Sequence, residues 1–230
     1  MKKLVILMPA FNEEAIIGKV LDDLIDRKPP NFETEIVVIN DGSYDQTESE
    51  AQKRNVTVLT HPLNRGLGGA LGTGFLYAKI SGADFVVTFD ADGQHNPDDI
   101  VKILHPLVEV KADVVVGSRL LGKSTMPIDR KIINFLANIL NFFLWGIWVT
   151  DTQSGLRAFT KKAVNKIKIK MNKMEVSSEI LKEVKRNKLS LTEIPIKAIY
   201  TQYSRNKGQQ NINAVNVFLR LLLHKIVDIK

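Results

Sequence analysis

The sequence predicts an α/β fold in which a mostly parallel β-sheet is flanked by helices on both faces. Over the first 120 residues, short apolar runs alternate with segments of helical periodicity. Polar clusters directly follow three of these runs. Alternation of this kind is typical of parallel sheets covered by helices, and polar residues after the strands are typical of ligand sites in such sheets.

Five apolar runs are predicted to be strands that are buried on both faces. They are short, continuous and rich in β-branched residues, which favours the interior of a parallel sheet. The runs cover residues 4–8, 35–39, 56–59, 85–89 and 114–116.

Two helix starts can be recognised between these strands. A helix is predicted after the first strand, where apolar residues at positions 16, 17, 20, 21, 24 and 25 have helical spacing. Asn12 is predicted to cap it, with Glu13 and Glu14 in its first turn. A second helix start is predicted at Pro97, which is followed by two aspartates.

The three polar clusters are expected to meet at one edge of the sheet. They cover residues 9–13, 41–43 and 90–92, each directly after a predicted strand. Because parallel strands end at the same edge, the clusters should lie close together, where such sheets bind ligands.

Two further segments are amphipathic. Residues 132–149 are apolar, but too short and interrupted for a confident transmembrane helix. One face of that segment would hold Asn134, Asn138, Asn141 and Trp145. Residues 213–230 have a polar stripe against an apolar face. Both segments suit interfacial membrane helices; the alternative is packing against the sheet or against a second subunit.

Charge is unevenly distributed along the 230 residues. Residues 1–160 carry 16 Lys/Arg and 20 Asp/Glu, a balance of −4, whereas residues 161–230 carry 16 and 5, a balance of +11. A basic segment suits anionic lipid or phosphate; no nucleic-acid partner is expected, since interleaved stacking aromatics are missing. The chain has no cysteine, which excludes disulfides and thiolate metal sites. We expect a cytoplasmic protein, peripheral at the inner face of the cell membrane.

The pair Asp90 and Asp92 predicts a metal site. Two carboxylates separated by one residue, just past a buried strand, suit Mg²⁺ or Mn²⁺, which take oxygen ligands together with substrate phosphates. Gln94 would add an amide oxygen. The alternative is an ordinary turn, because Asp and Gly favour turns.

A glycine-rich loop spans residues 64–70 and leads into a predicted helix. Its backbone amides would be able to hold an anion. It matches neither the dinucleotide-binding pattern nor a P-loop. The cluster at residues 41–43 could accept hydrogen bonds from a base or a ribose.

Taken together, these motifs resemble the family 2 glycosyltransferases, which have the GT-A fold, and within them the dolichyl- or polyprenyl-phosphate sugar transferases. The resemblance covers about residues 4–210. The matching segments are residues 8–13, 38–43, 64–66, 90–95, 117–119, 151–157 and 175–179.

The resemblance implies a role for each matching residue. The nucleotide-sugar would be bound by Pro9, Ala10, Asn12, Glu13, Asp41, Asn64, Gly68, Asp90, Ala91, Asp92, Arg205 and Lys207. The metal would be ligated by Asp90, Asp92 and Gln94, and catalysis would involve Asp92, Arg119, Arg130 and Glu175. Arg119 and Arg130 would grip the phosphate of a lipid acceptor. Arg205 and Lys207 fall in a basic loop that closes over the diphosphate, although here the loop departs from the Gly-x-Ser-Lys of the family.

The predicted activity is a metal-dependent, inverting transfer of a sugar from a GDP- or UDP-linked donor to a polyprenyl or dolichyl phosphate. A lipid phosphate needs no general base, whereas a hydroxyl acceptor would need one, for which Glu175 and Asp151 are the candidates. We expect a GT-A domain over residues 1–210, with a donor half (1–120) and an acceptor half (121–210), and an amphipathic helix over residues 211–230.

Three other readings stay open. One is a family 2 transferase that uses a saccharide hydroxyl as acceptor. Another is a sugar nucleotidyltransferase, which the segment at residues 9–14 does not favour. The third is a non-catalytic nucleotide-sugar-binding subunit of a membrane complex. A membrane-protein partner or a homo-oligomer also fits the sequence.

Overall fold

The structure, a computed structural model, describes residues 1–122, 126 and 128–199, with only the backbone described at positions 129 and 130. Its strands are β1 (Lys2–Ala10), β2 (Phe32–Asn40), β3 (Thr57–Thr60), β4 (Phe85–Thr88), β5 (Val114–Ser118), β6 (Arg157–Thr160) and β7 (Leu191–Pro195). Its helices are α1 (Ile17–Asp26), α2 (Thr47–Gln52), α3 (Leu67–Ile80), α4 (Asp99–Val108), α5 (Ile128–Trp145), α6 (Lys161–Lys166) and α7 (Val176–Arg186). The predicted C-terminal helix over residues 211–230 lies outside the described residues.

The strands form one sheet in the order β3-β2-β1-β4-β6-β5-β7. Strand β6 runs antiparallel to β4 and β5, and every other described pairing is parallel. All five predicted strands are present, and the predicted mostly parallel sheet is confirmed. The sheet includes β6 and β7, which come from the second half of the chain.

The core lies on both faces of the sheet because side chains alternate along each strand. In β1, Leu4, Ile6 and Met8 pack beneath α1 and α4. Val5 and Leu7 point to the other face, against α3, α6 and α7. Because both faces of β1 are buried, residues 4–8 are apolar at every position.

The start of α1 differs from the prediction. The helix begins at Ile17 and has no side-chain cap, so the prediction that Asn12 caps it is wrong. Asn12 has a left-handed φ of 55°, and its Oδ1 accepts a hydrogen bond from the Tyr44 N–H at 3.1 Å. Asn12 therefore joins the loops after β1 and β2 and does not cap a helix. The predicted helix start after Pro97 is confirmed by α4.

In helix α5 a polar stripe faces the protein and apolar side chains face outward, which is the reverse of most surface helices. Its asparagines Asn134, Asn138 and Asn141 are buried against the protein, while the apolar side chains Phe135 and Phe143 are exposed. No described helix is long and apolar enough to cross a bilayer.

Candidate active site

The carboxyl ends of β1, β2 and β4 lie side by side, so the three polar clusters meet as predicted. Strand β1 is the central one of the three, with β2 on one side and β4 on the other. From β1 the sheet extends to β2 and β3 on one side and to β4 and the later strands on the other. Open α/β sheets bind ligands at such a position.

Hydrogen bonds tie the first two clusters together. The Asn12 N–H donates to Ser43 Oγ at 2.9 Å, and the Glu13 N–H donates to Thr47 Oγ1 at 2.7 Å. Pro9, Asn12 and Glu13 are half-buried, whereas Ala10 is buried. The exposed rings of Phe11 and Tyr44 meet edge to face at the same place, with centroids 5.8 Å apart. These contacts fix the loops after β1 and β2 against each other.

Asp41 is buried and already makes several internal contacts. Its Oδ1 lies 2.7 Å from His61 Nδ1 and accepts from the Arg65 N–H at 3.0 Å, while Oδ2 accepts from the Gly66 N–H at 2.7 Å. His61 Nε2 lies 2.9 Å from Thr73 Oγ1 on α3. The carboxylate thus fixes the loop before α3, and any hydrogen bond to a nucleotide would be additional.

Backbone amides of the glycine-rich loop already donate within the protein. Two of them donate to Asp41, and the Gly69 N–H donates to the Asn172 carbonyl at 3.1 Å. Gly68 is buried, and a Cβ there would lie 1.9 Å from the Met171 carbonyl oxygen. These three amides are therefore engaged inside the protein and not with an anion, whereas the binding of the nucleotide-sugar by Gly68 stays a prediction. Asn64 remains exposed.

Asp90 and Asp92 are both half-buried at the end of β4. Asp90 Oδ2 lies 3.1 Å from Nε2 of the buried His95. Burial by itself would raise the pKa of Asp90, but the hydrogen bond from His95 and the nearby arginine charges hold it below its usual value. Burial and the charge of Asp90 raise the pKa of Asp92. The two carboxylates repel each other, which a bound cation would relieve.

Gln94 is oriented toward Asp92. Its backbone N–H donates to Asp92 Oδ1 at 3.0 Å, and its side-chain amide nitrogen donates to Asp92 Oδ2. Within residues 1–122, 126 and 128–199, no three acidic or histidine side chains form a group that would enclose a metal. The donor set nevertheless fits a hard cation shared with substrate phosphates, since one or two carboxylates are the usual protein ligands there.

A buried ion pair joins the segment after β5 to the loop before β6. Asp151 Oδ2 accepts from the N–H and the Nε of Arg119 at 3.0 and 2.7 Å, and Oδ1 accepts from Arg119 Nη2 at 2.8 Å and from Asn134 Nδ2 at 2.7 Å. Burial alone would raise the pKa of Asp151, but the Arg119 charge and these hydrogen bonds hold it below the usual value. With both oxygens in use, Asp151 is a poor general base, which removes one of the two predicted candidates.

The structure gives less detail on the remaining residues that the resemblance assigned to catalysis and to the diphosphate. Glu175 is buried at the N-cap of α7, where its carbonyl accepts from the Ser178 and Glu179 N–H groups at 3.0 Å. Arg130 lies in the first turn of α5, and its side chain is not described. Arg205 and Lys207 lie outside the described residues.

Two residues near Asp90 and Asp92 were assigned no role from the sequence, although both lie in the 151–157 segment that matches the family. Arg157 is buried, and it donates to the carbonyls of Ser154 at 2.9 Å and Thr152 at 2.7 Å. Burial lowers the pKa of Arg157 to about 10, and the charges of Asp151 and Asp90 oppose that shift. Gly155 lies against the carboxylate of Asp90. The contact of Gly155 with Asp90 joins segments far apart in sequence, which local motifs cannot reveal.

The fold and the paired carboxylates define a nucleotide-dependent transferase of the GT-A type. Residues 5–168 match the family model described as glycosyl transferase family 2. The chain belongs to this family, and the predicted glycosyltransferase class is confirmed.

Similar proteins extend over nearly the whole chain. It is 43% identical to the uncharacterized protein MJ1222 of Methanocaldococcus jannaschii, over 96% of this chain and 91% of that protein. It is 38% identical to a UDP-N-acetylglucosamine–dolichyl-phosphate N-acetylglucosaminyltransferase of Methanococcus voltae, over 98% and 97%. The resemblance to lipid-phosphate sugar transferases is thus confirmed.

The fold also matches solved structures. Glucosyl-3-phosphoglycerate synthase from Mycobacterium tuberculosis, solved with Mn²⁺, UDP and phosphoglyceric acid, superposes with a TM-score of 0.75 over 99% of this chain and 78% of that chain. At 19% identity, this match shows the shared fold.

Proposed function

We propose that the chain is a metal-dependent, inverting glycosyltransferase that moves a sugar from a nucleotide-sugar to a polyprenyl or dolichyl phosphate. Binding of the nucleotide-sugar donor is supported mainly by one observation: Asp90 and Asp92 lie beside the loops after β1 and β2. The Methanococcus voltae relative supports a lipid-phosphate acceptor, because dolichyl phosphate is part of its name. The match between the two proteins covers nearly the whole length of each. It also makes UDP-N-acetylglucosamine the first donor to assay.

Asp90 and Asp92 would hold Mg²⁺ or Mn²⁺ together with the donor diphosphate. When bound, the divalent cation offsets the negative charge that develops on the departing nucleoside diphosphate. Gln94 would supply its oxygen only after its amide turns over, because its nitrogen now donates to Asp92. Pro9, Ala10, Asn12, Glu13, Asn64 and Ala91 would line the nucleotide, with Arg205 and Lys207 near the diphosphate.

The chemical step would be a displacement at the anomeric carbon. An oxygen of the lipid phosphate forms the new bond while the bond from that carbon to the nucleoside diphosphate breaks, with inversion. A phosphate monoester has a second pKa of about 6, so this nucleophile is largely dianionic at neutral pH and needs positioning rather than a base. Glu175 would be needed as a base only for a hydroxyl acceptor.

The acceptor phosphate would be held on the side of the cleft formed by β5 and α5. Arg119 would contribute positive charge, and its ion pair with Asp151 fixes the position of the guanidinium group. Arg130 follows at the start of α5. An arginine fork is suited to phosphate oxygens, and two arginines near one anion would orient the attacking oxygen.

A membrane contact would be supplied by the outer face of α5 and the loop after it. We call this set the α5 apolar face; it consists of the exposed residues Ile128, Ile132, Phe135, Leu136, Phe142, Phe143 and Trp148. The helix cannot turn this face inward, because Asn134 and Asn138 hold it to the Asp151 loop. Apolar and aromatic side chains of this kind suit the interfacial zone of a bilayer. The cytoplasmic leaflet would present the acceptor to a protein on the inner face.

The test is a comparison of acceptors and donors. Labelled UDP-N-acetylglucosamine, UDP-glucose and GDP-mannose are each incubated with polyprenyl phosphate or with soluble saccharides in the presence of Mn²⁺. We expect a lipid-linked sugar from at least one donor. Transfer to saccharides alone would contradict the proposal and favour the hydroxyl-acceptor reading; tight nucleotide binding without turnover would favour a non-catalytic subunit.

Arg130→Ala separates the acceptor from the donor. The variant should raise KM for polyprenyl phosphate while leaving KM for the nucleotide-sugar near the unmodified value, because the residue is proposed to touch only the acceptor. Arg186→Ala, an exposed arginine on α7, is the matched control and should change neither constant. Equal losses for both substrates in Arg130→Ala would contradict the acceptor role.

A further inference from the structure

Gly155 lies in contact with the carboxylate that is proposed to bind the metal. A Cβ built on Gly155 would lie 1.9 Å from Asp90 Oδ2, 2.3 Å from Cγ and 2.3 Å from Oδ1. Real Cβ atoms do not approach other atoms this closely, so a side chain and the present position of Asp90 exclude each other.

Backbone conformation does not explain the glycine. The residues with a left-handed φ among the described glycines are 42, 66, 82, 93 and 146, and Gly155 is not one of them. Its φ therefore lies outside the left-handed region that favours glycine. The reason for glycine at this position is the space that Asp90 occupies.

The main chain at Gly155 is fixed on all sides. Its carbonyl accepts a hydrogen bond from Thr88 Oγ1 at 2.7 Å, on the strand that leads to Asp90. The carbonyl of Leu156 accepts from the Gly117 N–H at 2.9 Å. The buried guanidinium of Arg157 holds the carbonyls of Ser154 and Thr152. The segment has no freedom to retreat from an added methyl group.

Asp90 is the partner that would have to move. Its carboxylate is at the end of a short side chain and is held by a single described side-chain contact, to His95 Nε2 at 3.1 Å. A methyl group at position 155 would push the carboxylate out of this contact and away from Asp92.

From this geometry we propose that Gly155 is a positioning residue for the metal site: the space left by its missing side chain places the Asp90 carboxylate where it binds the divalent cation. This rests on the proposed metal role of Asp90 and Asp92. The contact joins the 151–157 segment of the acceptor half to the donor site, so it also sets the relative position of the two halves of the cleft at the metal.

The first experiment measures Mn²⁺ binding by electron paramagnetic resonance, with Mn²⁺ alone and with UDP. Gly155→Ala should weaken binding roughly 10- to 100-fold, the range seen when support for a metal ligand is lost. Gly72→Ala is the matched control, since its Cβ would meet only the side chain of Ile169, with Cγ2 at 3.8 Å and Cβ at 4.0 Å, which are ordinary contacts. Unchanged Mn²⁺ affinity in a folded Gly155→Ala protein would overturn the proposal.

The second experiment is a double-mutant cycle on the melting temperature in metal-free buffer. Gly155→Ala should lower the melting temperature in the unmodified protein and lower it much less in an Asp90→Ala background, where the methyl group has room. If the single variant does not fold, the double variant should. An equal loss in both backgrounds would overturn the contact. Failure of the unmodified protein to bind Mn²⁺ would instead overturn the metal role itself, while this cycle would still decide the contact.

Discussion

Asp151 is a buried carboxylate that joins three segments of the chain. It receives hydrogen bonds from Arg119, after β5, and from Asn134, on α5. Its side chain is 0% exposed and that of Arg119 is 14% exposed. A charge pair in this environment is expensive to break, because the remaining partner keeps its charge without compensation.

Replacement of Asp151 by asparagine should therefore destabilise the fold. We expect a loss of about 3–5 kcal/mol in the free energy of unfolding, measured with urea, which is the range for breaking a buried ion pair. Asp22→Asn, which removes the exposed partner of Arg54, should leave the value nearly unchanged. Equal small effects in the two variants would show that the Asp151 pair adds no net stability.

The same residue should give a signature in acid. Because its pKa is lower in the folded protein than in the unfolded chain, the stability it contributes is present above the unfolded value of about 3.9 and is lost as pH falls through the folded value. The difference in unfolding free energy between the unmodified protein and Asp151→Asn should therefore hold from neutrality down to about pH 4 and narrow as the pH is lowered further. A difference that stays constant with pH would contradict the depressed pKa.

At the residue scale, the sequence identified Asp90 and Asp92 because a carboxylate pair after a buried strand is a local pattern. It could not identify Gly155, whose partner is Asp90, or assign Asp151 to an ion pair. These contacts depend on how distant segments meet, which no local spacing encodes. In the glycine-rich loop a local pattern was present, but the Asp41 carboxylate already accepts hydrogen bonds from two of its amides.

At the scale of elements, α5 shows which of its two faces is turned inward. Asn138 donates to the Thr150 carbonyl at 2.6 Å and accepts from the Thr152 N–H at 3.1 Å. The sequence indicated the asparagine stripe but not its direction, because amphipathic spacing is the same whichever face is buried. Hydrogen bonds to the main chain after the helix decide the direction.

The two faces should respond oppositely to substitution. Asn138→Leu leaves buried main-chain groups unpaired and should cost about 1–3 kcal/mol for each of them. Phe143 is 75% exposed, so Phe143→Ser should change the unfolding free energy by less than about 0.5 kcal/mol. Urea unfolding of both variants checks the orientation of the helix, and the reverse order of effects would contradict it.

Vesicle sedimentation tests the α5 apolar face as a membrane contact. Phe143→Ser should reduce binding to vesicles that contain anionic lipid, because an apolar side chain is lost from the inserted face. Ile80→Ser removes an equally exposed apolar side chain from α3 and should leave binding unchanged. Equal losses in both variants would argue against a specific contact through α5.

At the scale of the molecule, the sheet was predictable from the sequence except for β6 and β7. The buried stretches of the central strands are mostly apolar because both faces are covered, and that pattern is visible in the sequence. Strand β6, at Arg157–Thr160, is a short segment with a buried arginine, and no pattern predicts that it enters antiparallel between β4 and β5. Its position brings the 151–157 segment beside Asp90, so the segments proposed to bind donor and acceptor share one sheet.

The most direct test of the whole account is metal-dependent transfer to polyprenyl phosphate by the unmodified protein and by Asp92→Ala. We predict a lipid-linked sugar from the unmodified protein with Mn²⁺ or Mg²⁺, none after chelation, and none from Asp92→Ala. The melting temperature of that variant without metal should not fall, because burial and Asp90 disfavour the charge on Asp92. Transfer by a folded Asp92→Ala protein, or transfer that survives chelation, would contradict the account.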